Sequence, residues 1–77
     1  MKITQEEVNE KLMFVNMGLE KRHLPQYWIE YNTKGRGQYR LKSLPSLFKF
    51  EETDWMALTN LWYFLDGMLT LMIEQGD

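Results

Sequence analysis

Apolar residues recur at helical spacing along the first part of the chain. The stripe that they form consists of Val8, Leu12, Val15 and Leu19. This spacing predicts an amphipathic helix. Thr4 and Glu7 have the spacing of a capping box, in which the Thr hydroxyl accepts from an early helical N–H and the Glu reaches back to the cap. Gly18 favours the left-handed conformation in which many helices end, so we predict a first helix over 5–17.

A β-hairpin is predicted over 26–44. The segments 26–32 and 38–44 are rich in aromatic and other strand-forming residues, and the intervening 33–37 contains two glycines. Alternation sorts the side chains onto two faces. The apolar face holds Tyr27, Ile29, Tyr31, Tyr39 and Leu41. The polar face holds Trp28, Glu30, Asn32, Gln38, Arg40 and Lys42.

The same alternation restricts how the two strands pair. A three-residue loop at 35–37 or a five-residue loop at 33–37 keeps the apolar set on one face, whereas a two-residue turn mixes the faces. Both of the favoured registers place a basic residue across from Glu30, either Arg40 or Lys42. The choice between the two loops stays open.

The C-terminal part of the chain predicts a long helix. Residues 47–50, after Pro45, are a candidate for a short third strand. Thr53 or Asp54 can cap the helix, and Gly76 can end it. Its central stripe consists of Leu58, Leu61, Leu65, Leu69 and Met72. We therefore predict a single α+β domain over 1–77 in two layers: helix, β-hairpin with the candidate third strand, and long C-terminal helix.

The composition argues against an enzyme. There is no cysteine, so disulfides and thiolate metal sites are excluded, and His23 is the single histidine. No nucleophile lies in a recognisable catalytic setting. The acidic residues Glu51, Glu52 and Asp54 are explained by the positive end of the long helix rather than by a metal. We expect no catalytic residue, no metal, no cofactor and no small-molecule substrate.

A cytoplasmic location is the expectation from the sequence. The N-terminal residues lack the apolar core of a signal peptide. The stretch 55–73 is long enough to span a membrane, but polar residues that include Asp66 follow one side of its helical wheel, which is atypical of a spanning helix.

Charge is strongly segregated along the chain. Seven basic residues and one acidic residue, Glu30, lie within 21–49, which gives this segment a net charge of +6, while the flanks are acidic. A basic hairpin with an aromatic residue is typical of nucleic-acid contact. The candidate contact residues are Trp28, Lys34, Arg36, Arg40 and Lys42. The alternative is an ordinary solvated strand face.

Excess apolar width on the helices predicts a protein interface. The apolar arc of the second helix spans roughly 200°, about twice what a surface helix needs. The surplus apolar residues outside the central stripe of the second helix are Phe64 and Leu71. Those outside the stripe of the first helix are Met13, Phe14 and Met17. We expect a protein partner, a homodimer or both. The favoured function is a non-enzymatic accessory or inhibitor protein, of the kind that phages encode, and a nucleic-acid-binding module is the alternative.

Overall fold

The fold is a helix, a three-stranded antiparallel sheet and a long second helix. The computed structural model describes residues 2–31, 39–43, 46–51 and 54–75, without the side chains of residues 54 and 55. The elements in chain order are α1 (Gln5–Lys21), β1 (Trp28–Tyr31), β2 (Tyr39–Lys42), β3 (Leu47–Phe50) and α2 (Asp54–Glu74). The predicted α+β class, with its hairpin strands, third strand and long C-terminal helix, is confirmed.

The N-terminus of α1 carries the predicted capping box. The backbone N–H of Glu7 donates to Thr4 Oγ1 at 3.2 Å, and the backbone N–H of Thr4 donates to Glu7 Oε1 at 3.2 Å. Two of the amides that lack a partner in the first turn are thus satisfied. The predicted capping of α2 at Thr53 and its end at Gly76 lie outside the described residues, and Asp54 is the first helical residue.

The end of α1 differs from the prediction, because the helix continues through Gly18 to Lys21. The stop is His23, whose φ of 58° is left-handed. Its N–H donates to Glu20 O at 3.1 Å, and the N–H of Leu24 donates to Leu19 O at 3.0 Å. These two bonds are those of a Schellman motif, with histidine where glycine is usual.

Gly18 instead lets the two helices approach each other. A Cβ atom added at this position would lie 2.7 Å from Met72 Sδ. The glycine therefore serves close packing of α1 on α2 rather than helix termination. The prediction that Gly18 ends the first helix was wrong, because the sequence alone does not show which residue of α2 faces it.

The sheet has the order β1-β2-β3 and a register that selects one of the two predicted loops. Tyr31 pairs with Tyr39 and Glu30 pairs with Arg40. This is the register of the five-residue alternative, although residues 32–38 themselves lie outside the described part of the chain. The inner face holds the apolar set, and its extension onto β3 adds Phe48 and Phe50.

The core lies where α2 meets α1 and the inner face of the sheet. The largest of its fully buried side chains are Leu41, Leu61, Leu65, Val8 and Val15. Tyr39 is also buried, but Tyr31 beside it stays 47% exposed and contributes through its ring contact with Tyr39 at 4.9 Å. The core therefore lies toward β2 and β3, and Tyr31, although it belongs to the apolar face of the hairpin, is not buried in it.

The two helices run in the same direction. Lys11 of α1 lies beside Asp66 of α2, and Gly18 lies beside Met72, so an advance of seven residues along one helix matches six along the other. The parallel helices form one layer and the sheet forms the other.

Candidate interaction surfaces

The five residues predicted for a protein interface lie in two different environments. Met13, Phe14, Met17 and Leu71 are exposed, and Leu71 is the most accessible of them at 58%. Phe64 is partly buried between Phe48 and Phe50, with ring centroids 4.8 and 5.7 Å away. This packing attaches α2 to the third strand and accounts for Phe64 within the fold.

Met13 and Met17 line an open groove of about 390 Å³ beside α1. The remaining lining residues are Asn9, Leu12, Asn16, Glu20 and Gln26. Phe14 is not part of this groove. It lines a second and smaller one, of about 170 Å³, with Trp62 of α2. The structure therefore places the apolar residues of α1 on two separate sides of the helix.

One row of residues along α1 has alternating spacings of four and three positions. It consists of Glu6, Glu10, Met13, Met17 and Glu20, and we call it the Glu/Met row. All five residues are exposed. Positions three and four apart are neighbours on a helix surface, so the two methionines are flanked by carboxylates at both ends. Lys21, which directly follows Glu20 and is one turn after Met17, is also exposed.

Asn16 ties α1 to the beginning of the sheet, a role that the sequence analysis missed. Its Nδ2 donates to Tyr27 O at 2.9 Å, and its Oδ1 accepts from the N–H of Tyr27 at 2.8 Å. The Asn16 side chain thus forms with the backbone of Tyr27 the two hydrogen bonds that a neighbouring strand would otherwise form. The sequence contains one indication of this role. Asn16 follows Leu12 by four residues, so its polar side chain borders the apolar stripe.

Arg22 joins the C-terminal ends of the two helices, a second role that the sequence did not reveal. Its Nη1 donates to Gly18 O at 2.9 Å and its Nη2 donates to Met72 O at 3.0 Å. The last turn of α2 has no basic residue of its own. Arg22 therefore provides the positive charge that the negative end of a helix favours.

Lys11 forms an ion pair with Asp66, the aspartate within the apolar second helix. Its Nζ lies 3.0 Å from Asp66 Oδ1 and 4.6 Å from the centroid of the Trp62 ring. By length and composition alone, Met56–Glu74 could cross a membrane. In this fold, the same helix buries Leu61 and Leu65 in the core and pairs Asp66 with α1.

The other layer presents an uncovered sheet surface, which we call the outer sheet face. It carries the residues that alternate with the apolar set: Trp28, Glu30, Arg40, Lys42, Leu47 and Lys49. Lys42 Nζ lies 2.9 Å from Glu30 Oε2, although Lys42 is two residues along β2 from Arg40, the direct cross-strand partner of Glu30. Arg40 lies opposite Lys49. The predicted contact residues Lys34 and Arg36 lie outside the described residues.

Among the residues that the structure describes, metal ligation indicates no further site, and similarity to known proteins does not point to one either. Within the described ranges, no group of three or more His, Asp or Glu residues could hold a metal ion. Comparison with family models, curated proteins and solved structures gives no match for this chain.

Proposed function

We propose that the protein is a non-enzymatic interaction protein, of the accessory or inhibitor kind, that binds a basic amphipathic helix of a protein partner along α1. The observation that supports this proposal is the Glu/Met row. Its two methionines are 53% and 49% exposed, although a side chain of this size gains about 1.5–3 kcal/mol from complete burial.

The shape and chemistry of the row favour a helical partner. Amphipathic helices bind grooves through apolar anchors at i, i+3, i+4 and i+7. Met13 and Met17 are one turn apart, so they match two successive anchors of such a helix. Methionine side chains are flexible and polarisable, which suits them to apolar partners of varied shape.

The charge of the row favours a basic partner. Glu10 lies one turn before Met13, and Glu20 lies one turn after Met17. Cationic side chains that flank the anchors of a partner helix would lie against these carboxylates. Complementary charge of this kind raises the association rate and selects against acidic partners, more than it adds affinity.

Calorimetry with two designed peptides tests the proposal on the intact chain. One peptide is an amphipathic helix of Leu and Lys, and the other has the same pattern with Glu in place of Lys. We expect the basic peptide alone to bind. Met13→Gln with Met17→Gln should weaken it at least tenfold, or about 1.4 kcal/mol, whereas Met56→Gln, an exposed methionine of α2, should leave it unchanged. Equal binding of both peptides, or no effect of the double substitution, would overturn the proposal.

A second copy of the chain is the other protein partner to consider, and the exposed edge of α2 supports it. Leu71 is exposed beyond the part of α2 that Phe64 attaches to the sheet. Light scattering over a concentration series measures this self-association directly. If two copies meet through this edge, Leu71→Glu should give a monomer, and Thr70→Glu, which places the same charge on the neighbouring exposed residue, should not. A monomer at every concentration of the unmodified protein excludes the homodimer.

The alternative function, nucleic-acid binding, depends on the other layer of the molecule. Its supporting observation is the basic outer sheet face, with Arg40 and Lys42 on the central strand.

A further inference from the structure

The outer sheet face has a defined arrangement of six side chains. Two rows run across the three strands. One row is Trp28, Lys42 and Leu47, and the other is Glu30, Arg40 and Lys49. Neighbours within a row lie on strands about 4.8 Å apart, and the two rows are two residues apart, or about 6.7 Å. Both helices lie on the opposite side of the sheet.

The charges on this surface do not balance one another. Glu30 forms an ion pair with Lys42, in which Oε2 lies 2.9 Å from Nζ. Within the part of the chain that the structure describes, neither Arg40 nor Lys49 forms an ion pair. These two cations occupy directly opposed positions of β2 and β3. Like charges that face each other across a strand pair destabilise a sheet, so an anion bound between them would relieve the repulsion.

An exposed aromatic ring lies on the same surface. Trp28 is 46% exposed, and at the other end of its row Leu47 is exposed as well. A nucleobase can stack on an indole ring, and such stacking contributes without a requirement for a particular base. A base that is paired within a duplex is not available for this contact, whereas the bases of a single strand are.

We propose that the outer sheet face binds single-stranded nucleic acid. Arg40 and Lys49 contact phosphate oxygens of the backbone, and Trp28 stacks on a base. Phosphate contacts provide salt-dependent affinity, and the stacking contact distinguishes this ligand from other polyanions. The site requires no residue of the Glu/Met row, so it adds a second binding surface to the one proposed for a protein partner.

The test is titration of the intact chain into fluorescently labelled oligothymidylate at several salt concentrations. Arg40→Gln with Lys49→Gln should weaken binding at least tenfold. Because each phosphate contact on a single strand contributes about 0.7 to the log–log salt slope, the slope should fall by about 1.4. The matched control is Lys2→Gln with Lys21→Gln, which removes the same charge from exposed positions outside the sheet and should change neither quantity.

A second substitution separates stacking from charge. Trp28→Leu keeps an apolar side chain but removes the ring, so it should weaken oligonucleotide binding while the salt slope stays the same. Circular dichroism of each variant establishes that the fold is retained. The proposal is overturned if the unmodified protein fails to bind at low salt, if duplex DNA or polyglutamate binds equally well, or if the control substitutions weaken binding as much as Arg40→Gln with Lys49→Gln.

Discussion

Arg22 donates a hydrogen bond from Nη2 to the backbone carbonyl of Met72 at 3.0 Å, fifty positions further along the chain. The other nitrogen of the same guanidinium bonds to Gly18 O within its own helix. A single side chain thus stabilises the C-terminal ends of both helices.

We expect Arg22→Ala to lower the free energy of unfolding by about 2 kcal/mol, because hydrogen bonds to a charged group contribute about 1.5–3 kcal/mol. Urea denaturation followed by circular dichroism measures the change. Lys21→Ala is the control, since Lys21 is exposed in the preceding position and should cost much less. Equal losses would mean that general charge near the helix end, and not the bridge, stabilises the fold.

The two glycines within the helices should respond differently to alanine. Gly67 of α2 has open space where a Cβ would lie, so Gly67→Ala should stabilise the protein by about 1 kcal/mol through helix propensity. Gly18→Ala has the same propensity gain, but its Cβ must displace the Met72 side chain. We expect it to be less stable than Gly67→Ala in thermal unfolding, and equal stabilities would contradict a tight contact between Gly18 and the Met72 side chain.

His23 occupies a left-handed backbone conformation that costs a residue other than glycine about 1–2 kcal/mol. We therefore expect His23→Gly to raise the midpoint of thermal unfolding. Lys21→Gly is the comparison, because glycine within the last turn of α1 should lower stability by about 1 kcal/mol. A loss of stability in both variants would contradict the left-handed end of α1.

Asn16 should protect the amide of Tyr27 from hydrogen exchange. Asn16→Ala removes both bonds to the Tyr27 backbone, so this amide should exchange much faster while that of Leu41, in the central strand, changes little. Asn16→Asp is informative as well, because it keeps the acceptor for the N–H of Tyr27 but loses the donor to its carbonyl. Unchanged exchange of Tyr27 in the alanine variant would show that α1 does not hold the start of β1.

The sequence was sufficient where the determining residues are close together in the chain. Thr4 and Glu7 are one turn apart, so their capping box could be recognised directly. Alternation along the hairpin predicted the faces of Ile29 and Leu41, since the period of a strand is local. The same alternation left two loop lengths open, because each preserves the faces and only pairing across the strands distinguishes them.

The sequence was insufficient where a residue acts through a distant partner. Gly18 has the same local signal whether it ends a helix or faces Met72. Phe64 was counted among the surplus apolar residues because Phe48 and Phe50 belonged to a strand that the pattern did not establish. On the candidate nucleic-acid surface, Arg40 and Lys42 could be assigned to one face, but the neighbourhood of Lys49 required the pairing of β2 with β3.

The packing of the first helix against the last one affects the order in which the protein folds. Lys11 and Asp66 are 55 positions apart, and all three strands lie between the helices that this pair joins. Contacts of such long sequence separation close large loops and slow the search for the native state. On the ribosome, α1 is synthesised long before Leu61 and Leu65 are available to cover Val8 and Val15. The first helix therefore leaves the exit tunnel with its apolar face uncovered, and it depends on the last element for its burial.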